Sequence, residues 1–196
     1  MPFATSATFA ALASLAVPAL TLGASDPMTC RPLVDFSEPQ EFDRWRVVND
    51  GVMGGLSSGQ MRRDGERMRY TGVINTNGGG FSSIRRPLER GALANAVALK
   101  INHDSDGRAY KLLLRSKARY RGRRISLQAP IPAQGDGALV TLADLRGSLR
   151  GYPIPNARFE RSEAVEISII LADGRDGPFE MALRSIEICE RAGTSV

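Results

Sequence analysis

Residues Trp45 to Gly59 read W-R-V-V-N-D-G-V-M-G-G-L-S-S-G, four glycines and an Asn-Asp pair set between two extended-looking segments. Trp45, Val47 and Val48 read as the end of a buried strand. Asn49, Asp50 and Gly51 are residue types that accept left-handed backbone, so the chain reverses here. Gly54 and Gly55, after Met53, call for positive φ or a close backbone approach. Asn77-Gly78-Gly79-Gly80-Phe81 repeats that demand further along the chain. Two glycine loops of this kind point to one shared surface.

Outward from the loops, apolar residues alternate with polar ones at a period of two, and no segment carries a sustained helical period with caps. Val97, Leu99 and Ile101 share a face, as do Tyr110, Leu112 and Leu114, and Val165, Ile167, Ile169 and Leu171. The last strand begins with Phe179, Met181 and Leu183 and ends with Ile186 and Ile188, so its parity switches near Arg184 and Ser185, where a bulge is expected. Asp-Gly pairs at 50–51, 64–65, 106–107, 136–137, 173–174 and 176–177 mark turns at the irregular spacing of a Greek-key sandwich. The class is all-β. One short helix is expected after Ser37, which stands at capping-box spacing from Gln40.

The chain resembles the complex I intermediate-associated protein family, whose recurring motif has the form W-x-x-V-N-D-x-V-M-G-G-x-S-S-G followed by G-G-F-x-S. The likeness continues in Asp106-Gly107-Arg108-x-Tyr110, Arg150-Gly151 and Asp176-Gly177-Pro178-Phe179, and spans roughly residues 31 to 190. It implies a jelly-roll β-sandwich similar to galactose-binding-like domains, and a role in helping assemble or stabilise protein complexes, respiratory complex I in mitochondria.

A length of 196 residues with 42% apolar content suits one well-buried domain. Residues 1–24 contain no Asp, Glu, Lys or Arg and read as an export signal. The domain is then expected over residues 25–190, with a frayed tail over 191–196. Cys30 and Cys189 are the two cysteines and flank the recognised region. In a sandwich whose first and last strands run side by side they meet at one edge, and an oxidising compartment joins them. Export, to periplasm or exterior, and the bridge are thus linked expectations. The formal net charge is +5, and 23 of the 26 basic residues are Arg, which favours anionic partners.

Gly55-Leu56-Ser57-Ser58-Gly59 fits the nucleophile-elbow pattern, but no apolar helix follows and the sole histidine, His103, precedes its acids. Asn102 to Gly107 imitates half a calcium loop, yet the twelfth position is Leu113, so a plain turn is the reading. His103 lacks companions for zinc. Arg115, Lys117, Arg119, Arg121 and Arg123 alternate, and form one basic face if extended; a hairpin turn at Gly122 would split that face, and a charge-protected edge strand is the favoured reading. The binding surface is assigned to the loops, with Trp45, Asn49, Asp50, Met53, Gly54, Gly55, Ser57, Ser58, Asn77, Gly78, Gly79 and Phe81, although glycine and asparagine also suit any tight sandwich loop. The expected function is a non-enzymatic module that binds another protein and aids its assembly or stability. A carbohydrate-binding module on the same loops is the alternative, and few aromatics lean against it. No cofactor, metal, nucleic acid or membrane span after signal removal is expected.

Overall fold

In the computed structural model, which describes residue 1 and residues 27–133, 137–157 and 159–192, the alternating segments become strands. They are β1 (Met28–Asp35), β2 (Arg46–Asn49), β3 (Ser58–Asp64), β4 (Arg67–Ile74), β5 (Ser82–Pro87), β6 (Ala98–Ser105), β7 (Tyr110–Tyr120), β8 (Arg123–Pro130), β9 (Ala138–Thr141), β10 (Arg146–Leu149), β11 (Tyr152–Ile154), β12 (Glu166–Leu171) and β13 (Gly177–Arg191). One antiparallel sheet has six strands, in the order β3-β4-β13-β6-β9 with β1 also on β13. The other has seven, in the order β11-β10-β8-β7-β12-β5-β2. The two antiparallel sheets enclose one core, so the all-β sandwich expected from the alternation is the fold.

The inward faces follow the alternation. Met68, Tyr70 and Ile74 of β4, Leu99 and Ile101 of β6, and Met181, Leu183, Ile186 and Ile188 of β13 line one side of the core. Ile84 of β5, Leu112 and Leu114 of β7, Leu127 of β8 and Ile167, Ile169 and Leu171 of β12 line the other. Val97 and Val165 fall just before β6 and β12 and are half-buried. The parity switch in β13 is a bulge: Leu183 pairs with His103 and Ser185 with Asn102, which leaves Arg184 as the extra residue. Before it β13 pairs with β4, and beyond it with β1, so one strand borders three others.

Cys30 lies opposite Cys189 in the β1–β13 register and the two form a disulfide with Cα atoms 4.0 Å apart. β13 runs to Arg191, and Ala192 N donates to Pro27 O at 2.8 Å; the rest of the expected tail and the expected signal lie outside the described residues. Among those residues, no helix is long and apolar enough to cross a membrane.

The helix expected after Ser37 is replaced by turns. Asp35 Oδ1 accepts from both the amide and the hydroxyl of Ser37 (2.9 and 2.7 Å), which spends Ser37 as a partner of the preceding acid instead of as a cap. A single 3-10 turn, Phe42–Arg44, follows. Asp64-Gly65 joins β3 to β4, Asp106-Gly107 lies between β6 and β7, and the pairs at 173–174 and 176–177 lead into β13. Arg150 and Gly151, both at positive φ, make the β10–β11 turn.

Candidate functional site

Asp50 stands at the centre of the two glycine loops. It opens a 3-10 turn, Asp50–Met53, closed by Gly54 at φ +88°. Its carboxylate is wholly buried. Oδ1 accepts from Ser57 N (2.9 Å), and Oδ2 accepts from Ser57 Oγ (2.6 Å), Gly80 N (2.6 Å) and Phe81 N (3.3 Å). Ser57 Oγ in turn accepts from Asn75 N at 3.0 Å, and Asn49 Oδ1 accepts from Ser82 Oγ at 2.6 Å. One carboxylate thus ties residues 50–57 to residues 75–81. Burial pushes its pKa up, yet the Ser57 hydroxyl and the amides of Gly80, Ser57 and Phe81 hold it below the ordinary aspartate value.

This clasp explains the glycines. A Cβ on Gly55 would sit 2.3 Å from Asp50 Cγ, and one on Gly79 would sit 2.4 Å from Asp50 Oδ2. Both positions lack a side chain because the backbone must touch the carboxylate. The loops themselves meet, since a Cβ on Gly78 would lie 3.4 Å from Gly54 O.

The predicted site residues therefore divide. Asp50, Ser57 and Trp45 are buried; Trp45 packs on Phe36 with ring centroids 5.9 Å apart and donates from Nε1 to Glu41 Oε1 at 2.9 Å. Asn49, Gly55 and Phe81 are half-buried. Met53, Gly54, Ser58, Asn77, Gly78 and Gly79 face solvent. Leu56 joins them at 66% exposure, beside Met53 at 62%, and the sequence reading had not singled it out. Val73, 48% exposed, pairs with Ser58 on the adjoining strand.

Two buried ion pairs were not anticipated. Arg86 donates to Glu41 through Nε (2.6 Å) and Nη2 (3.1 Å), which fastens the Trp45 segment to β5. Arg108 donates to Asp173 through Nε (2.9 Å) and Nη2 (2.6 Å), and through Nη1 to the carbonyls of Gly177 and Pro178 (3.0 Å each). Asp176 Oδ1 accepts from Thr76 N (2.6 Å), linking that same segment to the second glycine loop. Isolated Arg and Glu in a strand pattern look solvated, so only the D-G-R and D-G-P-F spacings carried a signal.

The arginine stripe is divided. β7 carries a bulge between Arg115 and Arg119, and Arg121 (φ +50°) with Gly122 (φ +77°) turns the chain into β8. Arg115, Lys117, Arg119, Arg121 and Arg123 accordingly share no single face. Asp104 pairs with Arg67 at 2.8 Å, and Asp106 accepts from Arg108 N and Glu180 N (3.0 and 2.8 Å), which makes 102–107 a strand end and turn.

Fold and loops together define a galactose-binding-like sandwich with an end surface held by a buried carboxylate. The chain belongs to the family described as complex I intermediate-associated protein 30, whose model matches residues 34–183. Comparison with proteins of curated function finds no match. Among solved structures, the fold is similar to a family 11 carbohydrate-binding module from Clostridium thermocellum in complex with a β-1,3-1,4-mixed-linked tetrasaccharide. That likeness has a TM-score of 0.57 at 16% identity, covering 81% of this chain and 94% of that one. The family 11 module of the cellulosomal cellulase Lic26A-Cel5E of Clostridium thermocellum gives a TM-score of 0.60 at 14% identity, with 82% and 94% covered.

Proposed function

We propose that the protein is a non-enzymatic binding module that engages another protein through the clasped loop surface and aids its assembly or stability. The supporting observation is that Met53 and Leu56 project into solvent from a segment pinned by Asp50. Apolar side chains on a fixed loop suit docking, because little ordering entropy is lost on contact. Family membership supports an assembly-related role, since the family is described by association with an intermediate of complex I. The disulfide and the charge-free start support export, so the partner is sought in an oxidising compartment.

A carbohydrate module on the same loops is the second reading, supported by the likeness to a module solved with a tetrasaccharide. Trp45 is buried against Phe36, however, so no indole is offered there for a sugar to stack on. Photo-crosslinking residues at positions 53 and 56, against a control at exposed Tyr152, test the surface in the native cell envelope. The expected result is one protein adduct at 53 and 56 that is absent at 152. Equal labelling at all three positions, or glycan capture alone, would reject the protein-docking reading.

A further inference from the structure

On the outer face of the seven-stranded sheet, four neighbouring strands bring three arginines around one carboxylate. Arg46 of β2 lies directly opposite Arg85 of β5; Arg85 lies opposite Ser168 of β12; and Glu166 of β12 lies opposite Arg115 of β7. Glu166 is sunk into the surface, its side chain 11% exposed, whereas Arg46 and Arg115 stand at 55% and 34%. Arg46 Nη2 reaches Glu166 Oε2 at 2.5 Å, and Arg115 Nη1 reaches Oε1 at 3.2 Å. The carboxylate therefore grips both guanidinium groups, one on each oxygen.

Arg85 is the unusual member. It is half-buried, and its hydrogen bond runs from Nε to Ser83 Oγ at 3.1 Å. Among the described residues, no carboxylate lies within ion-pair distance of it. Like charges directly opposite across a strand pair destabilise a sheet. Burial first, then Arg115 and Arg46, weaken the hold of Arg85 on its proton, and Glu166 opposes them only in part. Three guanidinium groups and one carboxylate leave an excess of positive charge that the protein's own groups do not neutralise. The site sits on strands, with Ser168 of β12 between Arg85 and Arg115, Ser83 accepting from Arg85 Nε and Ser126 of β8 accepting from Arg115 Nε at 3.3 Å, so much of its geometry is set before any ligand arrives.

We propose that this cluster binds a tetrahedral oxyanion, a phosphate or a sulfate ester. A carboxylate has two oxygens in one plane, already spent here on Arg46 and Arg115, whereas a tetrahedral group has oxygens for three donors arriving from different strands. This proposal stands apart from the loop surface, and crosslinking at positions 53 and 56 is expected to be unchanged when the cluster is altered.

The test is calorimetric titration of the full chain with inorganic phosphate and inorganic sulfate against sodium chloride at matched ionic strength, followed by melting with and without each anion. Arg85→Gln is the decisive variant, and Arg62→Gln, on β3 of the other sheet, is the control. Wild type and the control are expected to bind and to melt higher with either anion. Arg85→Gln should melt no lower than wild type without anion, because repulsion is relieved, and should bind phosphate about tenfold more weakly or worse. Arg46→Gln, at the exposed rim, gives a second reading of the same loss. Glycerol 3-phosphate and glucose 6-sulfate then separate a phosphate source from a sulfated sugar, and an Arg85-dependent gain for either supports the site. No anion effect beyond chloride, or undiminished binding by Arg85→Gln, overturns the proposal.

Discussion

A single carboxylate organises the end of this sandwich, and its removal tests that organisation. Asp50→Ala leaves the amides of Ser57, Gly80 and Phe81 facing a void. At about 1–3 kcal/mol for an orphaned buried donor, the three amides set a loss of about 3–9 kcal/mol in chemical denaturation, toward the lower end because Gly80 and Phe81 are only half-buried. Asp50→Asn should restore little, because its amide turns N–H groups toward other N–H groups. The acid range gives a second check. Asp50 titrates below its unfolded value, so its stabilisation is complete above about pH 4 and is lost as pH falls through the lowered value. Asp173, pushed up by burial but held down by Arg108, adds in the same sense. Denaturation midpoints measured from pH 6 downward should fall below about pH 4 in wild type and fall less in Asp50→Ala. The glycines were legible in the sequence because only close approach or positive φ requires them. The direction of Asp50 was not, since an acid among glycines reads the same whether it meets solvent or amides.

At the level of elements, period-two alternation carried the strands and even the bulge in β13, because a parity switch is visible in the residues themselves. The same alternation ran unbroken through Arg115 to Arg123, where a hairpin intervenes, so pattern alone did not place those cations. The segment before β2 was misread for a related reason: Ser37 suits a cap, but Asp35 two residues earlier captures it first. What holds that segment is the buried Glu41–Arg86 pair, a contact between residues far apart in sequence that no local pattern announces. Glu41→Ala strands a buried guanidinium and is expected to cost about 3–5 kcal/mol. The joint replacement Glu41→Met with Arg86→Leu should recover part of that loss, because an apolar pair of similar volume needs no desolvation, while the buried Trp45 Nε1–H left without Glu41 Oε1 keeps about 1–3 kcal/mol of it. Thermal and urea unfolding of the three proteins measure both effects.

For the whole molecule, the cysteines flanking the recognised region made the bridge legible, whereas Arg108–Asp173, which anchors the entry to β13, depended on the fold being known. The disulfide closes a separation of 159 residues. Chain entropy assigns such a loop about 4–5 kcal/mol, so Cys30→Ser with Cys189→Ser should lose up to that amount relative to the oxidised protein. Intact mass after non-reducing alkylation should show no added label on the native chain. The bridge also joins the strands at which the described domain begins and ends, with Met28 beside Arg191. A pull on the two ends is consequently carried by a covalent bond and never reaches the strands between Arg31 and Ile188. A cut in any loop within that span leaves one covalent piece. Tension along a tether does not open this domain; reduction or repeated cleavage must come first.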